Sequence, residues 1–323
     1  MRVQLENHRV LLQDRNRIAA YERAIDCVIR PGDHVIDLGA GSGILGWMAL
    51  RAGAGHVWAV DDSPVSHLLR HAADANGMSD RVTVVPQHSA SVQLPARADV
   101  VLCDQAGPMG WEGGLLDLLH DARHRLLKPG GRLMPSTLET WVAPAHRPDV
   151  HAAITSWQQP VAGFDFSFVS TWAAEDLWVV DAGGPGGLVA SGQRAARWTL
   201  GAATAKDAST IELDWILAEP CAVSGFEAWF RCELAPAVSI TNGPEESAIT
   251  RPRRFLPLRT PLLTRADDVL SLRLYLNPAG RLAQWSGSLI REGHVIERFS
   301  VNNLASLVRS ARLPAGGPDP ALR

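Results

Sequence analysis

The sequence predicts an α/β fold: a Rossmann-like, doubly wound sheet followed by a β-barrel or β-sandwich domain. Three observations carry this. From residue 34 to about 143, short apolar runs alternate with segments of helical period, the order that builds a parallel sheet. The run at 34–38 ends in a glycine-rich turn that opens a helix. After residue 144 the pattern changes to short segments, several of them alternating polar and apolar residues, the mark of antiparallel strands. A chain of 323 residues is long enough for two such domains.

The elements follow in order. In residues 5–30, Leu11, Leu12, Ile18, Tyr21, Ala24, Ile25 and Val28 recur at helical spacing, and Pro31-Gly32 ends the segment. Strands are expected at 34–38, 56–60, 81–85 and 100–103, with helices at 44–51, 64–76 and 114–127 between and after them. Lys128-Pro129-Gly130-Gly131 reads as a turn leading into strands at 132–134 and 138–143. In the second half, strands are expected at 177–180, 211–217, 226–232, 270–276 and 281–289. The expected organisation is an N-terminal helical segment (1–30), a nucleotide-binding domain (31–143) and a β-rich domain (144–312). Within the last, 145–176 is Trp- and Phe-bearing with weak periodicity. Residues 313–323, rich in Pro, Gly and Ala, are expected to be a flexible tail.

Composition excludes several classes. The net charge is −3, so phosphate neutralisation does not drive this chain onto nucleic acid, and no nucleic-acid partner is expected. Lysine appears only at 128 and 206 among 31 basic residues, and the arginines are scattered. Cys27, Cys103, Cys221 and Cys232 form no CxxC pair, which argues against zinc or a disulfide framework and fits a reducing compartment. The N-terminus is too polar for a signal peptide, and no apolar run reaches the roughly 18 residues of a membrane helix. A cytoplasmic protein without a membrane partner is expected.

The strongest local signal is Val35-Ile36-Asp37-Leu38-Gly39-Ala40-Gly41-Ser42-Gly43. A buried strand ends in a carboxylate and enters a turn whose glycines let the backbone approach a ligand. Asp61 closes the next strand about 20 residues on, where a carboxylate accepts from both ribose hydroxyls. Gly41-Ser42-Gly43-Ile44-Leu45-Gly46 also matches the GxGxxG of dinucleotide sites. Against that reading, Asp37 just before the turn repels a pyrophosphate and welcomes an ammonium. The later helix, KPGG turn and strand look like class I methyltransferases, which use S-adenosylmethionine.

Outward from this motif, the chain resembles the protein arginine methyltransferase family over about residues 5–290. His8-x-x-Leu11-Leu12-x-Asp14-x-x-Arg17-x-x-x-Tyr21 is similar to that family's N-terminal helices, which cover the cofactor. The resemblance implies His8 and Leu11 beside S-adenosylmethionine and Arg17 on its carboxylate, in keeping with the fork geometry of a guanidinium. Gly163-Phe164-Asp165-Phe166-Ser167 is similar to a segment near the family's dimerisation arm. Gly225-Phe226-Glu227-Ala228-Trp229-Phe230 is similar to a core strand of its barrel. A homodimer is implied, with an arm at about 145–176. The aromatics Trp157, Phe164, Phe166, Phe168 and Trp172 serve either that contact or the barrel core.

The sequence departs from the family at the acceptor. The family holds a guanidinium with two glutamates on the loop after the fourth strand. Here Asp104 stands at the first, and Glu112 near the second but one residue early, in a loop rebuilt with Gly107, Pro108 and Gly110. These two acids are the expected acceptor-site residues; the alternative is a turn-forming Asp and a capping Glu. Thr250-Arg251-Pro252 replaces the family's Thr-His-Trp. Ala90 stands where a glutamate accepts from the adenine amine, leaving Ser89 or a backbone group to substitute. His8 and His88 are candidate bases for a neutral acceptor. The donor residues are thus expected to be His8, Leu11, Arg17, Asp37, Gly39, Gly41, Asp61 and Ser89. No metal is expected. The expected activity is methylation of a guanidine or amine on a small molecule or peptide. The alternatives are O-methylation of a natural-product or peptide intermediate, an NAD-linked enzyme, and a scaffold that binds without turnover.

Overall fold

The computed structural model describes residues 2–181, 183–245 and 247–303; the tail expected at 313–323 lies outside them. The chain forms two compact units. The first combines 1–138 with 198–205 and 231–250, and the second holds the remainder. This differs from the single cut at 143 expected from sequence. Periodicity reports elements along the chain, whereas the two short late pieces join the first unit through pairings between distant residues.

In the first unit, α1 (Arg2–Gln13) and α2 (Arg15–Val28) replace the single helical segment expected at 5–30. The break is Asp14, which caps α2 by accepting from the Arg17 N–H (3.0 Å), a role that favours a short acidic side chain over helix continuation. Then come β1 (His34–Leu38), α3 (Ile44–Arg51), β2 (His56–Val60), α4 (Ser66–Ala75), β3 (Val82–Val85), β4 (Ala98–Cys103), α5 (Leu115–Asp121) and β5 (Leu127–Met134). The parallel sheet has the order β3-β2-β1-β4-β5. Its apolar strands, such as Val35, Ile36 and Leu38 with no exposed surface, are buried as a two-sided parallel sheet requires. The order reverses between β1 and β4, so ligands belong at the carboxyl ends of those strands.

Two details differ from expectation. The helix expected at 114–127 stops at Asp121 and continues as a π-helical turn over Ala122–Leu126. The 128–131 turn is a bulge inside β5: Ala98 pairs with Leu127, and Val100 pairs next with Arg132.

Beyond β6 (Thr137–His146), α6 (Pro148–Ser156) and α7 (Phe168–Ala173) form the segment expected as an arm. The remaining strands are β7 (Trp178–Val180), β8 (Gly187–Leu188), β9 (Gln193–Thr199), β10 (Ser209–Ile216), β11 (Ala222–Ala235), β12 (Val238–Thr241), β13 (Arg253–Leu263), β14 (Val269–Asn277), β15 (Leu282–Arg291) and β16 (His294–Asn302). The second unit carries an antiparallel sheet β10-β14-β15-β16 and a sheet running β7-β13-β11-β6-β8. Trp285, buried on β15, ties the two by donating its indole N–H to the Pro257 carbonyl (2.8 Å). Glu227 of the GFEAWF strand is 1% exposed and accepts from Arg147 (3.2 Å) and Arg253 (2.9 Å), the pairing a buried carboxylate requires. No described helix is long and apolar enough to cross a membrane.

Candidate active site

The carboxyl ends of β1 and β2 open on a cavity of about 760 Å³. Its lining brings together five of the expected donor residues, His8, Gly39, Gly41, Asp61 and Ser89, together with His88, the other candidate base. The turn after β1 is left-handed at Gly39 (φ 69°), Gly41 (φ 54°) and Gly43 (φ 80°). At Gly41 a side chain is excluded twice over, by φ and because a Cβ there would lie 2.5 Å from the His8 ring. His8 therefore packs directly on the turn. Burial is the main cause holding its imidazole below the usual histidine range; Asp61 opposes and Arg17 reinforces this.

Asp61 shapes the turn from the next strand. One carboxylate oxygen accepts from the Gly41 N–H (2.7 Å), the other from the Ser63 N–H (2.9 Å) and hydroxyl. Asp37 is 1% exposed and accepts from the Gly46 N–H (3.0 Å). Burial pushes its carboxyl up to about 7, against the Gly46 bond and Arg17 and helped by the charges of Asp104 and Asp61. A cation placed beside it would draw the proton off and gain a full charge partner.

Leu11, Arg17, Asp37, Asp104 and Glu112 are not on the cavity lining. Arg17 pairs with Asp104 (Nε to Oδ2, 2.7 Å), both side chains less than a tenth exposed. Its Nη1 donates to the Leu11 carbonyl (3.1 Å) and its guanidinium lies 5.3 Å from the Tyr21 ring centroid. Nη2 makes no hydrogen bond among the described residues. Thus Arg17 joins α1, α2 and the end of β4, and Leu11 contributes through its backbone. Asp14 also serves twice, since its second oxygen accepts from the Thr250 N–H (2.5 Å).

The loop after β4 is a tight hairpin in which Gly107 and Gly110 exchange backbone hydrogen bonds (3.2 and 2.9 Å). Glu112 folds back into it, accepting from the Met109 N–H (2.6 Å). Any side chain at 107 would collide with the Glu112 Cβ, 2.6 Å away. Asn242, 1% exposed, donates to the Pro108 carbonyl (2.9 Å) and fixes the hairpin from a late segment of the same unit. Asp104 and Glu112 therefore both have protein partners. His88 is a cap: its Nδ1 accepts from the Ala90 N–H (3.3 Å).

Sequence reasoning missed Gln105, Asp117, Leu118 and Asp121, all on the cavity lining. Gln105 extends over Gly39 and donates to its carbonyl (3.4 Å). Asp121 pairs with Arg125, which also donates to the carbonyls of Ser89 and Val92 and so braces the turn at 89–91. The spacing of 117, 121 and 125 places those three side chains on one helical face, a signal present in the sequence.

A family model described as ribosomal protein L11 methyltransferase (PrmA) matches residues 21–138. A probable protein arginine N-methyltransferase 6 from Arabidopsis thaliana is 29% identical over 75% of this chain and 58% of its own length. An arginine N(omega)-methyltransferase from Streptomyces achromogenes subsp. streptozoticus is 27% identical over 83% of this chain and 75% of its own. The chain thus spans little more than half the length of the Arabidopsis relative. The fold matches the structure of a Trypanosoma brucei PRMT1 enzyme-prozyme heterotetrameric complex with AdoHcy, with a TM-score of 0.78, 20% identity, and coverage of 91% of this chain and 97% of that one. The resemblance to arginine methyltransferases read from the sequence is borne out, as is the expected fold of a parallel nucleotide-binding sheet followed by a β-barrel-like region.

Proposed function

We propose that this chain is an S-adenosylmethionine-dependent methyltransferase that N-methylates a guanidine or amine on a small molecule or peptide. The observation that carries the reading is the cavity at the ends of β1 and β2, where Gly39, Gly41, His8 and Asp61 converge. The residues in and behind its wall suit the donor chemically. Asp37, buried behind the turn, receives an ammonium, Asp61 the ribose hydroxyls, and Ser89 lies where the base ends. Bound S-adenosylmethionine supplies a methyl group already activated on a sulfonium, so the protein's task is alignment and electrostatics. His8 and Leu11 close α1 over the turn. Arg17, with Nη2 uncommitted, takes a carboxylate while its Nε holds Asp104. Asp104 and Glu112 would orient the acceptor nitrogen; its proton would pass to water as the bond to carbon forms and the sulfur–carbon bond breaks.

Relatives named for arginine methylation support a guanidine acceptor, and the name of the Streptomyces relative gives arginine itself. A homodimer built through the 145–176 arm belongs to the same reading. Phe164 is 68% and Phe168 52% exposed on an arm that also shows Trp157, Val161 and Trp172 to solvent, a patch of the kind interfaces cover. Phe168→Asp should shift the sedimentation of the chain from dimer to monomer; an unchanged profile removes the arm from the contact. A cytoplasmic location fits the absence of a membrane-crossing helix among the described residues.

Calorimetric titration with S-adenosylmethionine, S-adenosylhomocysteine and NAD tests the donor. Micromolar binding of the first two and none of NAD is expected, followed by a mass gain of one methyl on arginine or an arginine peptide. Failure of either sulfur nucleoside to bind at millimolar concentration overturns the reading.

A further inference from the structure

The far wall of the donor cavity bears on which purine it takes, an inference that rests on the donor reading above. An adenine presents an exocyclic amine that only donates, so a site that selects adenine needs an acceptor facing it. Ala90 supplies none. Part of the neighbouring turn is engaged: His88 Nδ1 accepts from Ala90, and the Ser89 and Val92 carbonyls accept from Arg125. The groups left there, the Gln87 amide and the Ser89 hydroxyl, are neutral, whereas a carboxylate is the stronger acceptor. Four carboxylates line the cavity: Asp61 and Asp62 after β2, Asp117 and Asp121 on α5. The first two stand at the ribose end. Asp121 is gripped through both oxygens by Arg125 (3.0 and 2.6 Å). Asp117 differs. Its Oδ1 accepts from the Ala205 N–H (2.7 Å), which fixes the side chain, and its Oδ2 makes no hydrogen bond among the described residues. Leu118, next to it on the lining, offers apolar surface for a ring face.

We propose that Asp117 Oδ2 accepts from the exocyclic amine of the donor's adenine and makes the site selective for a 6-amino over a 6-oxo purine. The Asp121–Arg125 pair holds the turn at 89–91 as a further part of the same lining. The selectivity follows from lone pairs. A carboxylate oxygen attracts an amine and repels a keto oxygen, and a recognition group left facing the wrong partner loses more than the bond.

The test is calorimetry of the full chain with S-adenosylhomocysteine and its deaminated analogue S-inosylhomocysteine. The wild type should prefer the adenosyl compound by about tenfold or more, the ratio expected for one charge-assisted hydrogen bond. Asp117→Asn keeps a carbonyl oxygen for Ala205 and turns the other position into an N–H donor, so its preference should collapse to near unity or invert. Asp117→Ser, which removes the carboxylate without adding an amide, should also flatten the ratio and serves if the first variant melts early. A wild-type preference retained in a folded variant, an equal loss for both ligands, or no preference in the wild type overturns the assignment. Binding of neither ligand to the wild type is a separate result, and it removes the donor reading itself.

Discussion

The loops after β1 and β4 leave paired, neighbouring parallel strands of one sheet, yet they use their carboxylates in opposite ways. At the first, Asp37 within β1 and Asp61 from the end of β2 bond backbone amides of the turn and the helix after it; Asp61 lies on the cavity lining, Asp37 behind it, and the turn itself walls the cavity. At the second, Asp104 is held by Arg17 and Glu112 by Met109, and neither faces that cavity. The difference teaches that an acid's partner, more than its presence, decides what a loop does. The first loop walls an open cavity, whereas the second is built largely around itself and is tied to α1 and α2 through Arg17.

The largest expected effect separates the loops outright. Asp61→Ala should weaken S-adenosylhomocysteine binding by about 100-fold or more, because two ribose hydroxyls lose a charged acceptor and the Gly41 turn loses its anchor. Calorimetry with a circular dichroism check of folding measures this, and near-normal affinity would erase the contrast. Next, Asp104→Asn should cut turnover by about 100-fold while donor affinity stays within a few-fold, since a loosened acceptor loses alignment more than binding. Parallel losses in both quantities would mean that the Arg17–Asp104 pair belongs to the donor loop.

The pH dependence sharpens the comparison further. Asp37 titrates near 7 in the fold, above its ordinary 3.8, so between these values the folded state holds a proton that the unfolded state has lost. Its contribution to stability is therefore fully present below about pH 4 and is lost as pH rises through about 7. Asp37→Asn should raise the melting temperature relative to wild type more at pH 8 than at pH 5, and it should abolish donor binding at both. In the wild type, donor affinity should fall as pH drops below 7, because the ammonium must displace that proton. A flat affinity profile from pH 5 to 8 would detach Asp37 from the ligand. The smallest effect belongs to the second loop: Glu112→Gln should cost about 1 kcal/mol of stability by weakening one charged hydrogen bond, read by denaturant titration.

The sequence made β1, its glycine turn and Asp61 legible because burial, backbone freedom and spacing all act there over a few residues. The parallel sheet followed from periodicity for the same reason. What escaped depended on partners far along the chain. Asn242 reaches Pro108 across 134 residues, and nothing local marks either. Strand β13 carries Pro257 and Pro261, residues that normally argue against a strand interior, and tertiary pairing overrides them. Strand β16 is exposed along most of its length and so lacks an apolar period. The helix at α5 ended early because a π-helical turn has no signature in apolar spacing. At the site, residue types were readable but their pairings were not: an arginine expected for a ligand's carboxylate also holds one of the protein's own.

The three-piece composition of the first unit has a consequence for anyone who would handle this chain as parts. Residues 231–250 supply Asn242 to the β4 loop and Thr250 to the Asp14 cap, and 198–205 supply the Ala205 amide to Asp117. A truncation after 143 would strip the nucleotide-binding half of its own struts. The catalytic module is therefore not a cassette: recombination or domain grafting has to carry the whole chain, and selection on either half acts on both.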